Sequence, residues 1–160
     1  MCEEKAKIIT GEVVSVNISS EKGVSKKRVA KILLKEDFGV ENDAHAKTPN
    51  REVSLLALES ILKTRKKKLA VNPGDFAENI TTKGIDLLQL PLGTRLQIGE
   101  TILEVTQIGK ICHSRCQVFY RVGECVMPKE GIFGRVVRGG EVAVGDMIIV
   151  TGDRHSREVL

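Results

Sequence analysis

Leu96–Val105 reads LQIGETILEV. Leu96 and Ile98 flank a polar Gln97, Gly99-Glu100 interrupts the run, and Ile102, Leu103 and Val105 resume it. Apolar residues on both sides of a Gly-containing break predict two strands joined by a short turn. Outward on the N-terminal side, Leu92-Gly93 marks another turn, and Pro91 stops the apolar run Ile85–Leu90. On the C-terminal side, Gly131–Val137 and Glu141–Val150 repeat the pattern, with Gly139-Gly140 as a turn between them and Gly145-Asp146 breaking the second run.

The rest of the chain agrees with a strand-rich reading. Val14, Val16 and Ile18 alternate with Ser15 and Asn17, so Ile8–Ser19 reads as a half-buried strand. Glu52–Leu58 (EVSLLAL) reads as a buried strand, Glu59–Lys68 as a short helix ending in the basic run Arg65–Lys68, and Phe76–Thr81 as a short strand after the turn at Pro73-Gly74. Arg28–Glu36 stays open between strand and helix, because Val29, Ile32 and Leu33 also fit helical spacing. Short strands separated by Gly turns imply a mostly β fold, a barrel or sandwich with a few short helices, rather than a doubly wound α/β fold.

Length and composition narrow the function classes. The 160 residues suit one domain, and 41% hydrophobic content supports a core, which 3% aromatics leave to Val, Ile and Leu. A formal charge of +4 is too mild for a dedicated nucleic-acid binder, and the basic run reads as a solvated helix end. No stretch approaches the roughly 20 apolar residues of a membrane span, and residues 1–20 lack a signal-type apolar region, so a cytoplasmic protein is expected. Four cysteines in such a chain point to metal or thiol chemistry rather than to a disulfide framework.

Three of those cysteines, Cys112, Cys116 and Cys125, fall in Thr106–Arg135 together with His113, Lys110 and Arg115. The thiolate is the nucleophile and the soft metal ligand, and nearby positive charge favours it. Three readings stay open: a working thiolate at Cys112 with Cys116 as a resolving thiol, a zinc site, or ordinary buried cysteines. The spacing lacks the paired C-x2-C knuckles of common zinc modules, and Cys125 in VGECVM suits a buried hydrophobe.

A second stretch, Asp37–Arg51 (DFGVENDAHAKTPNR), is polar and too irregular to form one element. Long polar loops in compact domains often carry function. Asp43 and His45, one residue apart, point to the same side if the segment is extended, and Arg51 follows. The alternative is that Asp43 and His45 satisfy turn backbone groups. Arg135 and Arg138 have the chemistry to pair with phosphate. Phosphate-loop, dinucleotide-binding, HExxH and GxSxG signatures are missing.

Taken together, GEVVSVNIS (11–19), GVENDAHAKTPNREVSLLALES (39–60), NPGDFAENITTKGIDLLQLPLGTRLQIGETILEVTQIGKICHSRC (72–116) and VMPKEGIFGRVVRGGEVAVGD (126–146) resemble the MOSC domain. That domain ends the eukaryotic molybdenum-cofactor sulfurases and also occurs as small stand-alone bacterial proteins. The resemblance covers about residues 10–150, with 1–9 as an N-terminal extension and 151–160 as a polar tail. It implies a barrel-like β fold that binds a molybdenum–pterin cofactor or carries sulfur for metal–sulfur centres.

By this resemblance the sulfur-carrying or molybdenum-ligating residue is Cys112, with His113 and Cys116 completing a CHxxC form. Asp43 and His45 match a GDxH-like segment, Arg51 its following Arg, Asn79 and Thr81 an ENxT segment, and Arg135 a late FGR-like block. Arg51 and Arg135 are then candidates for the pterin phosphate. Asn42 stands where Gly is usual and Ile111 where Pro is common. The chain carries neither the extra N-terminal barrel region of the larger reductases nor a pyridoxal-phosphate desulfurase domain. A carrier or binding module, or a sulfur transferase without its own desulfurase, is therefore implied over a reductase. Pyridoxal phosphate belongs to that fused domain and is not expected to bind here. The implied partners are a cysteine desulfurase or other sulfur donor, and a molybdoenzyme or cofactor-biosynthesis protein as acceptor.

Overall fold

Strand β1 (Thr10–Ile18) is the seam of the fold. Its first residues pair with β11 (Met147–Gly152), through Thr10↔Ile149 and Glu12↔Met147, and its later residues pair with β6 (Ile80–Lys83) and β2 (Lys27–Val29). The remaining staves are β7 (Arg95–Ile98), β8 (Thr101–Ile108), β9 (Ile132–Arg138) and β5 (Val53–Ala57). Around the ring the order is β1-β11-β7-β8-β9-β5-β6 and back to β1, a closed seven-stranded barrel with β2 as an outer edge. Closure leaves the staves with no open hydrogen-bonding edge. The computed structural model describes residues 9–22, 24–65, 72–109 and 127–152.

The barrel pairs are antiparallel except β5 with β6. A parallel pair needs a crossover, which includes helix α1 (Leu58–Arg65). Its Ile61 is fully buried, Glu59 accepts from the Gly84 N–H at 2.9 Å, and the Ser60 hydroxyl donates to Glu130 of α2 (Met127–Glu130). Inside the barrel, Val13, Leu55, Ile80, Leu96, Leu103 and Ile148 have at most 1% of their surface exposed. Burying such a side chain contributes about 1.5–3 kcal/mol relative to leaving it exposed. A second sheet, β10 (Gly140–Ala143), β3 (Lys31–Lys35) and β4 (Gly39–Val40), lies beside the barrel.

The hairpin expected in LQIGETILEV is β7 and β8, with Gly99 at φ +57° in the turn. Several other segments differ from their sequence reading. Arg28–Glu36 resolves into β2 and β3, in which Ile32 and Leu34 point inward while Lys31, Leu33 and Lys35 face out. The strand expected over Phe76–Thr81 begins only at Ile80, because Ala77 takes φ +67° and Glu78 and Asn79 turn their side chains into the interior. The Ile85–Leu90 run forms a short 3-10 turn, Leu87–Gln89. Gly139-Gly140 does not join hairpin partners: β9 stays in the barrel and β10 crosses to the small sheet. Strand β11 runs to Gly152, two residues into the expected tail.

Candidate functional site

Asp43 and His45 sit in a run of turns after β4, not on an extended segment. Asn42 adopts φ +68°, the left-handed conformation that Gly takes freely and that Asn tolerates better than most residues. Asp43 is buried and makes backbone and side-chain bonds together. Its Oδ1 accepts from the Ser19 N–H at 3.0 Å and from the Lys26 ammonium at 2.8 Å, and its Oδ2 accepts from the His45 N–H at 3.1 Å. Burial pushes the carboxyl pKa up, but Lys26 and the two N–H groups outweigh it and hold the group below its usual range. Lys26 also lies 3.2 Å from Ser19 Oγ and 3.0 Å from His45 Nδ1. A lysine that the sequence places in a polar loop is thus 4% exposed and joins Asp43 to His45.

A second network supports the base of this cluster. Asn79 Oδ1 accepts from the Ser54 N–H at 3.0 Å and from its hydroxyl at 3.2 Å, while Nδ2 donates to the Asn17 carbonyl at 3.2 Å. Asn17 Nδ2 donates to the Glu78 carbonyl at 3.1 Å and to Thr81 Oγ1 at 3.3 Å, and the Thr81 hydroxyl donates to Glu78 Oε2 at 2.6 Å. Asn79, Thr81 and Glu78 are fully buried. Glu78 Oε2 accepts from the Gly74 N–H as well, but Oε1 has no hydrogen-bond partner among the described residues. Burial in this setting raises the Glu78 pKa to about 7. Gly74 is required here: at φ +92°, a Cβ on it would lie 2.5 Å from the Lys26 carbonyl.

The two candidate arginines differ. Arg135 is held by two carboxylates, Asp37 at 3.1 Å and the buried Glu104 at 2.9 Å. Arg51 is half-buried, and its guanidinium makes no ion pair or hydrogen bond among the described residues. The Asn50 carbonyl beside it lies 2.8 Å from the Thr106 hydroxyl, at the point where the β8–β9 register shifts. That contact ties the polar loop to β8, and the chain leaves β8 at Ile108, four residues before Cys112.

A family model for the MOSC domain matches residues 42–149. The chain belongs to the MOSC domain family. Solved structures agree in fold. The MOSC protein here is similar to YuaD from Bacillus subtilis, with TM-score 0.75 and 20% identity over 90% of this chain and 97% of that one. It is also similar to YiiM from Geobacillus stearothermophilus, with TM-score 0.69 and 20% identity over 88% and 75%, and to YiiM from Escherichia coli, with TM-score 0.66 and 21% identity over 89% and 70%. No curated protein matches the chain.

Of the residues singled out in this MOSC sequence, the structure joins Asp43 and His45 through Lys26, and sets Asn79 and Thr81 in the adjoining buried network. Asn79 and Thr81 direct their polar groups to protein partners, Asn79 to the backbone of β5 and β1 and Thr81 to the Asn17 and Glu78 side chains. Arg135 is engaged by carboxylates rather than turned out alone. Cys112, His113 and Cys116 lie outside the described residues, as do Lys110, Arg115 and Cys125. Among the described residues no three His, Cys, Asp or Glu side chains come together as a metal site. No described helix is long and apolar enough to cross a membrane. Sequence reasoning missed Lys26, which carries no motif, and used Glu78 only as a polar neighbour of Asn79.

Proposed function

We propose that this MOSC protein binds a molybdenum–pterin cofactor and receives sulfur for a metal–sulfur centre as a persulfide on Cys112. The observation that carries the reading is the Thr106–Asn50 contact. It anchors the strand leading to Cys112 against the loop that bears Asp43, His45 and Arg51. Family membership supplies the cofactor class, and the donor set fits it: an anionic, phosphate-bearing pterin needs cationic and N–H donors. Arg51 is the half-buried cation without a carboxylate partner among the described residues. When bound, the cofactor supplies a soft metal–sulfur centre, for which a thiolate is the matching protein ligand.

In this reading Arg51 holds the phosphate in bidentate fashion, His45 faces the anionic site, and Lys26 with Asp43 fixes His45. Arg135, bound to Asp37 and Glu104, steadies the barrel wall between β8 and β9. Asn79 and Thr81 preserve the shape beneath. His113 and Arg115 stabilise the Cys112 anion, and Cys116 is the resolving thiol. A cytoplasmic cysteine desulfurase is the donor, and a molybdoenzyme or cofactor-biosynthesis protein the acceptor.

The test is a titration of purified protein with molybdopterin, followed by fluorescence, for wild type, Arg51→Ala and Cys112→Ser. Saturable binding weakened in Arg51→Ala supports the reading. Absence of binding to the wild type refutes the cofactor half of it. Binding without any persulfide on Cys112 reduces the protein to a delivery module.

A further inference from the structure

Glu78 has no protonation state that satisfies it. Its side chain is fully buried, and Oε2 accepts from the Gly74 N–H at 2.8 Å and from the Thr81 hydroxyl at 2.6 Å. Oε1 has no hydrogen-bond partner among the described residues. The donors are fixed by their neighbours. A backbone carbonyl only accepts, so the Asn17 atom facing the Glu78 carbonyl at 3.1 Å is Nδ2, and the same nitrogen donates to Thr81 Oγ1 at 3.3 Å. The Thr81 hydrogen is then left for Glu78 Oε2, which excludes a second hydrogen between them. A neutral Glu78 therefore carries its proton on Oε1, as a buried O–H with no acceptor. An ionised Glu78 leaves a buried anionic oxygen with no donor. The second state is the costlier one, because an unpaired buried charge forfeits more hydration than a neutral hydroxyl.

Glu78 also fastens the turn at 72–77 to the barrel. In that turn Ala77 takes φ +67°, a left-handed conformation that a Cβ disfavours, and its N–H bonds the Gly74 carbonyl at 3.0 Å. The same carbonyl accepts from the Lys26 N–H at 2.8 Å, and the Asp75 carbonyl accepts from the Ser25 hydroxyl at 3.0 Å. The turn thus holds the segment that carries Lys26, the partner of Asp43. Two charged residues stand close by. Asp75, on the turn itself, disfavours the Glu78 anion further, and Lys26, on the adjoining segment, turns its ammonium to Asp43. Strands β1, β5 and β6 contribute Ser15, Asn17, Ser54 and Thr81 to this network, all neutral.

We propose that Glu78 is a proton-dependent latch: protonated, it holds the 72–77 turn against β1 and β6, and on losing the proton it lets the turn lift so that the carboxylate reaches water and the segment carrying Lys26 loosens. Burial is the largest cause that holds the Glu78 pKa up at about 7, so the change falls in the neutral range. The closed turn binds the proton more tightly than an open one, in which Glu78 returns toward its ordinary 4.5. The closed form is therefore favoured at low pH and weakens as the pH rises through 7. The latch itself does not depend on the cofactor; that its opening unsettles the support of the loop bearing His45 and Arg51 rests on the proposed function.

The experiment is native-state amide hydrogen exchange of the full chain, followed by NMR from pH 5 to pH 8 and corrected for the intrinsic pH dependence of exchange. Amides of β7 and β8 serve as the reference for global unfolding. The Gly74, Ala77 and Lys26 amides are expected to exchange faster than the reference, and their protection to drop roughly fifty-fold between pH 5 and pH 8. In Glu78→Gln, which has no proton to lose, the protection of these three amides is expected to stay level. Wild-type protection that does not change with pH, exchange of the three amides only together with the reference, or the same drop in Glu78→Gln overturns the proposal. If Glu78→Gln does not fold, the 13C signal of the Glu78 carboxyl in the wild type replaces it. A carboxyl that titrates at the pH where the protection loss levels off supports the latch; one that titrates elsewhere, or not at all in this range, overturns it. Exchange is measured on the protein alone, so a failure to bind molybdopterin refutes the proposed function and leaves the latch standing, and flat protection does the opposite.

Discussion

The Lys26 ammonium sits 2.8 Å from the Asp43 carboxylate, and neither side chain is exposed to solvent. A buried pair of this kind stabilises little compared with an apolar substitute, yet it is costly to break from one side. It fixes where the loop after β4 meets β1 and β2, and so where His45 stands.

Removing Asp43 strips Lys26 of this counter-ion. Asp43→Ala is expected to lower stability by about 3–5 kcal/mol, read from urea unfolding midpoints. The carboxyl pKa is held below its usual 3.8, so its contribution is complete above that value and is lost as the pH falls through the lower, folded-state pKa. Wild-type stability should therefore drop below about pH 4 more steeply than that of Asp43→Asn.

Glu78 has the opposite sign. Its pKa is raised from 4.5 to about 7, so the folded state holds the proton more tightly than the unfolded chain. Stability should fall as the pH rises from 4.5 toward 7, by on the order of 3 kcal/mol, and level off above. Glu78→Gln keeps a neutral acceptor for Gly74 and Thr81 and should flatten that slope. Unfolding measured at pH 5 and pH 8 for both proteins is the check; equal slopes contradict the assignment.

Asn79 ties the start of β5 to the end of β1. Asn79→Ala leaves the buried Ser54 N–H and Asn17 carbonyl without these partners. An unsatisfied buried group costs about 1–3 kcal/mol, so a loss of roughly 2 kcal/mol or more is expected in chemical denaturation.

Arg51 and Arg135 should separate binding from stability. Arg51→Ala breaks no ion pair among the described residues and should change stability by no more than about 0.5 kcal/mol. Charge-assisted hydrogen bonds contribute about 1.5–3 kcal/mol, so the same change should weaken molybdopterin binding roughly ten- to a hundredfold. Arg135→Ala removes the nearer cation from buried Glu104, leaving Arg95 at 3.8 Å, and should appear mainly as lost stability. Paired denaturation and binding curves distinguish the two.

The barrel staves were legible where apolar residues alternate and Gly turns interrupt them, as in LQIGETILEV. Arg28–Glu36 was not, because Val29, Ile32 and Leu33 satisfy a helical spacing while the pairing with β10 selects Ile32 and Leu34 as the inward pair. Asp43, His45 and Arg51 stood out as charges in a long loop. Lys26 did not: a lysine in a short basic run (Lys26-Lys27-Arg28) is normally solvated, and its burial depends on Asp43, which reaches it only through the fold. Phe76–Asn79 read as strand because periodicity registers apolar residues but not side chains that turn inward to bond Ser54 and Gly74.

The most direct measurement is intact-mass spectrometry of the protein after incubation with a cysteine desulfurase and cysteine, beside Cys112→Ser and Cys116→Ser. One added sulfur is expected in the wild type and in Cys116→Ser, and none in Cys112→Ser. No added mass in any sample, or the same gain in Cys112→Ser, contradicts Cys112 as the sulfur carrier.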